Sequence, residues 1–95
     1  MQIKEIVQGE AFNEALIIKN KDGTLFVPSR DERVLFMLER NEKKILSFAL
    51  VDMCIQFNTD YLLPGIYDYK IQIEKSGDII FSSRNALKIK GKERS

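Results

Sequence analysis

The clearest periodic pattern in the chain follows Pro64 and Gly65 and ends at Glu74. Apolar or aromatic side chains occupy every second position, and charged or amide side chains occupy the positions between them. The apolar set is Tyr67, Tyr69, Ile71 and Ile73, and the polar set is Asp68, Lys70, Gln72 and Glu74. A period of two predicts a β-strand with one buried face. The Pro64-Gly65 pair predicts a type II turn before it, because Gly tolerates the positive φ that this turn requires.

Similar but shorter runs, separated by turn residues, predict strands along the rest of the chain. The predicted strands cover residues 2–7, 12–19, 33–40, 45–51, 53–57 and 84–90, with short return segments at 24–27 and 79–81. The side chains predicted to point inward include Ile3, Val7, Phe12, Leu16, Ile18, Asn85, Leu87 and Ile89. Hairpin turns are predicted at Asp22-Gly23, around Asn41 and at Gly77-Asp78, because these residues accept the positive φ of tight hairpins. A bend is predicted at Ser82-Ser83.

Two segments have helical alternatives. Residues 31–50 are rich in Leu, Met, Glu and Lys, which favour helices. We prefer two strands there, because a short polar break at Asn41 separates two runs of strand length. Asn58 or Thr59 could also cap a single helical turn over residues 60–63.

The two strands predicted at residues 33–40 and 45–51 are apolar on both faces. Either they lie at the centre of the fold with both faces covered, or their second face meets another chain. A small sandwich covers only one face of each sheet, and a large exposed apolar patch usually marks an interface. The second face is therefore a predicted interface for self-association or docking. Its residues are Leu35, Met37, Ile45, Ala49 and Val51.

Length and composition predict one domain over residues 1–91 and a short polar tail at 92–95. Lys and Arg number 15 and Asp and Glu number 14, so the net charge is +1. This balance argues against a nucleic-acid partner that is held mainly by phosphate contacts. The alternating start of the chain is unlike a signal peptide, and no apolar run approaches a membrane span. A single cysteine, Cys54, fits folding in a reducing cytosol.

Enzymatic activity is not expected. The chain has no histidine, so the commonest general base is missing, together with Ser-His and Cys-His pairs. We expect no cofactor and no catalytic or metal-binding residue. The aspartates fall at predicted turns, where Asp serves the backbone, although two such loops could in principle bind calcium. Cys54 has no basic neighbour in sequence and is interpreted as an unreactive, partly buried thiol rather than a nucleophile.

The tyrosines could form an aromatic platform for sugars or bases, or they could pack in the core. Packing is favoured for Tyr67 and Tyr69, because they share a face with Ile71 and Ile73. A tyrosine soon after a turn also suits a corner role, with its hydroxyl bonded to nearby backbone. We assign this structural corner and core to Gly65, Tyr67, Tyr69 and Ile71. Tyr61, outside the alternation, is the candidate exposed contact.

The order of these motifs resembles a known family. A Gly-Glu-x-Phe start at residues 9–12 leads to a Lys-Asp-Gly turn at 21–23. A Leu-x-Pro-Gly-x-Tyr-x-Tyr-x-Ile element follows at 62–71, and then a Gly-Asp hairpin. This order resembles the immunoglobulin-like N-terminal domains of phage baseplate and tail proteins, including the baseplate upper-protein type. The Phe26-Val27-Pro28-Ser29 segment departs from the Asp-Leu-Thr-Gly strand of many members.

The resemblance implies an all-β, immunoglobulin-like antiparallel β-sandwich of about seven to eight short strands. It also implies a non-enzymatic structural component of a phage or prophage tail or baseplate. Such a protein would be made in the bacterial cytoplasm, would join the virion on assembly, and would dock to copies of itself or to other virion proteins. The alternative is a stand-alone module that binds carbohydrate or peptide through loops 29–31 and 60–61.

Overall fold

The computed structural model describes residues 4–91. These residues form seven β-strands and no helix. The strands are β1 (Lys4–Val7), β2 (Ala11–Ala15), β3 (Glu32–Arg40), β4 (Lys43–Ala49), β5 (Cys54–Asn58), β6 (Gly65–Lys75) and β7 (Asp78–Lys90). The all-β prediction is therefore confirmed for the described residues, and the strand interpretation of residues 31–50 is confirmed with it. Ile3 and the predicted tail at 92–95 lie outside the described residues.

The strands form two sheets. The larger has five strands in the order β1-β7-β6-β3-β4, and the smaller pairs β2 with β5. All neighbours are antiparallel except β1, which runs parallel to β7. Two of the antiparallel pairs, β3–β4 and β6–β7, are consecutive in the chain and are joined by tight turns. Asn41 and Glu42 both have positive φ between β3 and β4, and Ser76 and Gly77 do so between β6 and β7, as two-residue hairpins require.

The hydrophobic core lies between the two sheets. The larger sheet contributes the alternating inner faces of its central strands, and the smaller sheet contributes Phe12, Ile55 and Phe57. The larger sheet's buried residues are Val34, Phe36, Leu38, Tyr67, Ile71, Ile73, Leu87 and Ile89. The Phe36 ring lies 5.2 Å from the Phe57 ring, and the Phe12 ring lies 6.2 Å from the Tyr69 ring. These contacts join the layers.

Several sequence predictions are wrong in detail. Val7 is exposed, and Ile6 packs against the core instead, because the pairing of β1 with β7 sets Ile6 beside the buried Ile89. The bend predicted at Ser82-Ser83 does not occur, because both residues pair with β6 within one continuous β7. Tyr69 is only half-buried.

The chain between β2 and β3 is less regular than the sequence predicts. Beyond Ala15 the residues leave the ladder, although Leu16 and Ile18 still pack against the core. The predicted hairpin is present, with Gly23 at a φ of 89° and the Asn20 N–H donating to the Thr24 carbonyl. The return segment makes only a single bridge, between Leu25 and Lys19.

The turn predicted at residues 60–63 is a single hydrogen-bonded turn rather than a helix: the Leu62 N–H donates to the Thr59 carbonyl at 3.0 Å, and the Asp60 N–H donates to the Asn58 Oδ1 at 3.1 Å. The Thr59 side chain has a further role. It is completely buried. The hydroxyl donates to the Glu10 carbonyl at 2.7 Å and accepts from the Gly9 N–H at 3.0 Å. Thr59 therefore fastens the β1–β2 connection to the end of β5, and it provides a hydrogen-bond partner for two backbone groups of that connection.

Replacing Ile71 with Ala should lower the free energy of unfolding by about 2–5 kcal/mol, because Ile71 is 1% exposed and a cavity would form. Asp68→Ala, on the opposite face of β6, should change it by no more than about 0.5 kcal/mol. Urea denaturation of both variants measures the difference. The reverse ranking would mean that β6 is shifted by one residue, which exchanges its two faces.

Replacing Thr59 with Val should destabilise the fold by about 1–3 kcal/mol, because the Gly9 N–H and the Glu10 carbonyl lose their partner while the shape is kept. Thr59→Ser keeps the hydroxyl and should cost less. Equal losses in the two variants, measured by thermal unfolding, would show that the methyl group matters rather than the hydrogen bonds.

Candidate interaction surfaces

The outer face of the β3–β4 hairpin carries the predicted interface. Leu35 lies opposite Ala49 on β4, and Met37 lies opposite Ser47, so Leu35, Met37 and Ala49 share the face that points away from the core. We call Leu35, Met37, Ile45, Ala49 and Val51 the outer patch. Leu35 and Met37 are half-buried between the neighbouring strands. Ile45 is 44% exposed at the bulge in β4, and Val51 is 75% exposed beyond its end.

Charged side chains border the outer patch. Lys70 lies 3.1 Å from Glu39, and Arg84 approaches the same Glu39 oxygen at 3.8 Å. At the other end of β3, Arg33 pairs with Glu74 at 2.9 Å. The apolar area along β3 and β4 is thus a narrow strip with charged side chains at both ends, smaller than the sequence predicts.

The start of β6 forms a corner around Tyr67. The Tyr67 hydroxyl donates to the Leu63 carbonyl, four residues earlier, at 2.6 Å, and accepts from Arg40 at 3.3 Å. The guanidinium of Arg40 also lies 5.1 Å from the centre of the Tyr67 ring, within cation–π range. Tyr67 is 2% exposed, so its ring fills the core while its hydroxyl fixes the chain that enters β6.

Gly65 is the first residue of β6, and the predicted type II turn is wrong. Its φ is 148°, well beyond the value of about 80° that a type II turn requires. A Cβ atom at this position would lie 2.6 Å from an Arg40 nitrogen. Glycine is needed here because the backbone has an unusual φ and because the guanidinium packs directly against it.

Tyr61 and Cys54 are the other two residues that the sequence singles out. The Tyr61 side chain is 62% exposed, so it is available for contact with a partner. Cys54 is half-buried on β5, and its thiol donates to the Asn13 Oδ1 at 3.3 Å across to β2. This hydrogen bond joins the two strands of the smaller sheet.

A cleft of about 510 Å³ opens at the end of β3 and β4, and sequence reasoning did not predict it. Its charged lining residues are Glu32, Arg33 and Asp52. Its apolar lining residues are Val27, Pro28, Val34, Ala49, Leu50 and Met53. The cleft depends on a turn of positive φ at Asp52 and Met53, so periodicity alone could not have revealed it.

The loop beside this cleft is held by Ser29. Its N–H donates to Glu32 at 2.9 Å, and its hydroxyl donates to Asp31 at 2.6 Å. The Ser29 hydroxyl lowers the pKa of Asp31, and the Ser29 N–H followed by the hydroxyl lowers the pKa of Glu32. Both carboxylates therefore stay ionised to a lower pH than usual, and the loop presents fixed negative charge.

A second exposed apolar group lies on β7. Ile79, Ile80 and Phe81 are consecutive and are 49%, 53% and 38% exposed. The run of three apolar residues after Gly77-Asp78 predicts only a short return segment. Their exposure depends on how far the other strands extend alongside them, which the local pattern does not contain.

Residues 4–91 contain neither a cluster of metal-ligating side chains nor a membrane-spanning helix. No group of three or more Asp, Glu or Cys side chains is arranged to hold a metal ion there. The described residues also contain no helix of the length and apolarity needed to cross a membrane.

Comparisons with protein-family models, curated proteins and solved structures find no match to this chain.

Replacing Tyr67 with Phe should lower the free energy of unfolding by about 0.5–1.5 kcal/mol, because the Leu63 carbonyl loses its hydrogen bond while the ring still fills the core. Tyr61→Phe is the matched control and should stay within about 0.5 kcal/mol, since that side chain is exposed. Thermal or urea unfolding measures both. A Tyr67→Phe variant as stable as the wild type would show that the hydroxyl does not hold the corner.

Proposed function

We propose that this protein is a non-enzymatic structural module of a phage or prophage tail or baseplate, with an immunoglobulin-like β-sandwich fold. It acts by docking to copies of itself or to neighbouring virion proteins. The outer patch is the surface that carries this proposal, because Leu35, Met37 and Ala49 lie on a sheet face that the domain's own second layer does not cover, and Ile45 and Val51 are exposed.

The strand arrangement supports the immunoglobulin-like part of the proposal. In variable-type immunoglobulin domains an extra strand joins the sheet formed by strands G, F and C. The order β7-β6-β3-β4 matches that arrangement, and β2 and β5 then take the places of strands B and E. Tyr67 sits near the start of the strand equivalent to F and bonds to upstream backbone, as in a tyrosine corner. The described residues have no strand between β4 and β5, so the smaller sheet is reduced.

The outer patch supports docking through its exposure and its border. Ile45, Ala49 and Val51 are exposed while Leu35 and Met37 are partly accessible between them. The ion pairs of Glu39 and Glu74 give the strip a polar rim. An apolar centre with a polar rim is the usual composition of a protein interface. The phage setting follows from the motif resemblance and not from this geometry.

The cleft favours a second candidate function, the binding of a peptide or carbohydrate. Its lining combines apolar residues with three charged ones, as ligand sites commonly do. It lies beside the Ser29-Arg30-Asp31 loop that the sequence suggested for this role. Tyr61 is not among its lining residues, so the two loops named from sequence do not meet at this cleft.

Met37→Glu and Ala49→Glu should each dissociate the assembly and leave a folded monomer, because each places a charge inside the apolar strip where no partner is available. Sedimentation velocity at a concentration on the order of 50 µM should show a larger species for the wild type and a monomer for both variants. Circular dichroism verifies that the monomers are folded.

Gln56→Glu is the matched control, since it adds the same charge on an exposed position of the smaller sheet, and it should leave association unchanged. A wild type that stays monomeric would contradict the proposed docking surface. So would Met37→Glu and Ala49→Glu variants that associate as strongly as the wild type. The genomic setting is tested separately: genes for tail assembly are expected on either side of this protein's gene.

A further inference from the structure

Two carboxylates line the cleft at the end of β3 and β4 without an ion-pair partner in the described part of the chain. They belong to Glu32 and Asp52, and neither takes part in the ion pairs that residues 4–91 form. Arg33 is the cationic residue of the lining, and its guanidinium already lies 2.9 Å from Glu74. The cleft therefore carries negative charge that its own side chains do not neutralise.

The charge on Glu32 is held in place by the adjoining loop. The Ser29 N–H donates to a Glu32 oxygen at 2.9 Å, and the Ser29 hydroxyl lies 2.7 Å from the same oxygen. These contacts lower the pKa of the Glu32 carboxyl, and Lys75, its partner in the ladder to β6, adds a smaller contribution in the same direction. Glu32 is therefore ionised and fixed in orientation at neutral pH.

A ligand that fills the cleft takes water away from both carboxylates. Covering a charged group costs free energy unless the ligand supplies a partner for it. A cationic ligand supplies that partner, whereas an anionic ligand adds repulsion and a neutral sugar brings no charge. Glu32 and Asp52 therefore select a ligand with positive charge.

The rest of the lining selects apolar side chains. The six apolar lining residues include no aromatic ring, so the cleft has no flat platform on which a sugar could stack. Val27 is 77% exposed, and an apolar group placed against it removes open apolar surface from water. The volume of about 510 Å³ lies within the roughly 300–1,000 Å³ of known ligand sites. The cleft thus suits a small ligand that is apolar in part and cationic in part.

The backbone beside the cleft favours an extended chain as that ligand. The β3–β4 ladder reaches Leu35 and Ala49, and one further bond joins the Leu50 N–H to the Val34 carbonyl at 2.8 Å. Beyond that bond, the Glu32 end of β3 pairs with β6 on one side and has no strand on the other within the described residues. An extended peptide can add hydrogen bonds to such an edge, while its side chains give selectivity.

We infer that the cleft binds a short extended peptide segment in which an apolar side chain is flanked by lysine or arginine. The cationic side chains pair with Glu32 and Asp52, and the apolar side chain packs on the apolar lining. The inference rests on the second candidate function, ligand binding in the cleft, and names the ligand class for that site. It does not depend on docking through the outer patch.

Titration of the full chain with capped pentapeptides tests the inference. The probes are acetyl-Gly-Lys-X-Lys-Gly-amide with valine, leucine or phenylalanine at X, followed by amide NMR spectra at about 50 mM salt, where charge pairing is weakly screened. At least one probe should bind with a dissociation constant below about 1 mM. The largest shifts should fall at residues 32–34 and 50–53. Glutamate in place of both probe lysines should abolish binding, and serine at X should weaken it about fivefold or more.

Two conservative variants remove the charges and keep the local structure. In Glu32→Gln the new amide oxygen can still accept from the Ser29 N–H. In Asp52→Asn the new side chain tolerates the positive φ of 53° at this position. Each variant should raise the dissociation constant of the lysine probes about fivefold, and the double variant should raise it further. Asp60→Asn, at an exposed carboxylate outside the lining, is the matched control and should leave it unchanged.

A second pair of variants tests the apolar contact. Val27→Ser removes part of the apolar lining at an exposed position, so the fold should be kept while the leucine probe binds more weakly. Leu25→Ser is the matched control, because Leu25 is 61% exposed on the same segment and lies outside the lining. It should bind the leucine probe as the wild type does.

Three results would overturn the inference. The first is that no lysine probe binds at concentrations up to about 2 mM. The second is that affinity is unchanged in the double variant of Glu32→Gln and Asp52→Asn. The third is that probe binding is lost in Met37→Glu, which would place the probes on the outer patch. Met37→Glu is used because Met37 is outside the cleft lining, whereas Ala49 belongs to both surfaces.

A parallel titration with maltotriose, a neutral sugar, separates this inference from the candidate function on which it rests. Shifts at residues 32–34 and 50–53 with maltotriose, and none with the lysine probes, would overturn the inference and keep the cleft as a ligand site. The absence of shifts with either ligand would contradict both.

Discussion

The contact between the inner face of β3 and the smaller sheet is the interaction on which the rest of the structure depends. Phe36 is completely buried, and its ring lies within 6 Å of the rings of Phe48, Phe57 and Tyr69. A two-stranded sheet is marginally stable by itself in water. The β2–β5 pair is therefore maintained by burial of its own Phe12, Ile55 and Phe57 against the larger sheet, more than by its hydrogen bonds.

Covering one face of a five-stranded sheet with two strands has consequences for the surface. The outer face of the larger sheet stays in water, where ion pairs of Glu39 and Glu74 accompany a strip of apolar residues. The edges at β4 and along most of β7 also stay open in the described structure. Within the described residues, the two-stranded layer is too small to cover these surfaces as well as the core.

A few buried polar groups hold the irregular connections against this core. Thr59 joins the β1–β2 connection to the end of β5, and Tyr67 fixes the chain that enters β6. Every buried side-chain polar atom in the described residues has a hydrogen-bond partner. The loops near Ser29 and Tyr61 are held by local bonds at the surface and are more exposed, so recognition through them would require less rearrangement of the core.

The sequence by itself determined the strands with strong alternation and the turns between them. The inner face of β6, the hairpin at Asn41 and the turn at Gly77 were all predictable, because side-chain period and positive φ are local properties. The sequence also shows that the chain has no histidine, so a histidine general base and Ser-His or Cys-His pairs were excluded before the structure was known. Local patterns also placed Leu35, Met37 and Ala49 on one face of their strands.

Tertiary structure alone decided which of these residues face water and which edges are free. Ser82 and Ser83 belong to a continuous strand because β6 pairs with them, and Ile79 to Phe81 are exposed because β1 reaches no further than Leu87 in the described residues. The cleft beside Met53 forms where two sheets are joined by a tight turn. Each of these features depends on a partner distant in sequence, and hydrophobic periodicity carries no information about which strand that partner is or how far it extends.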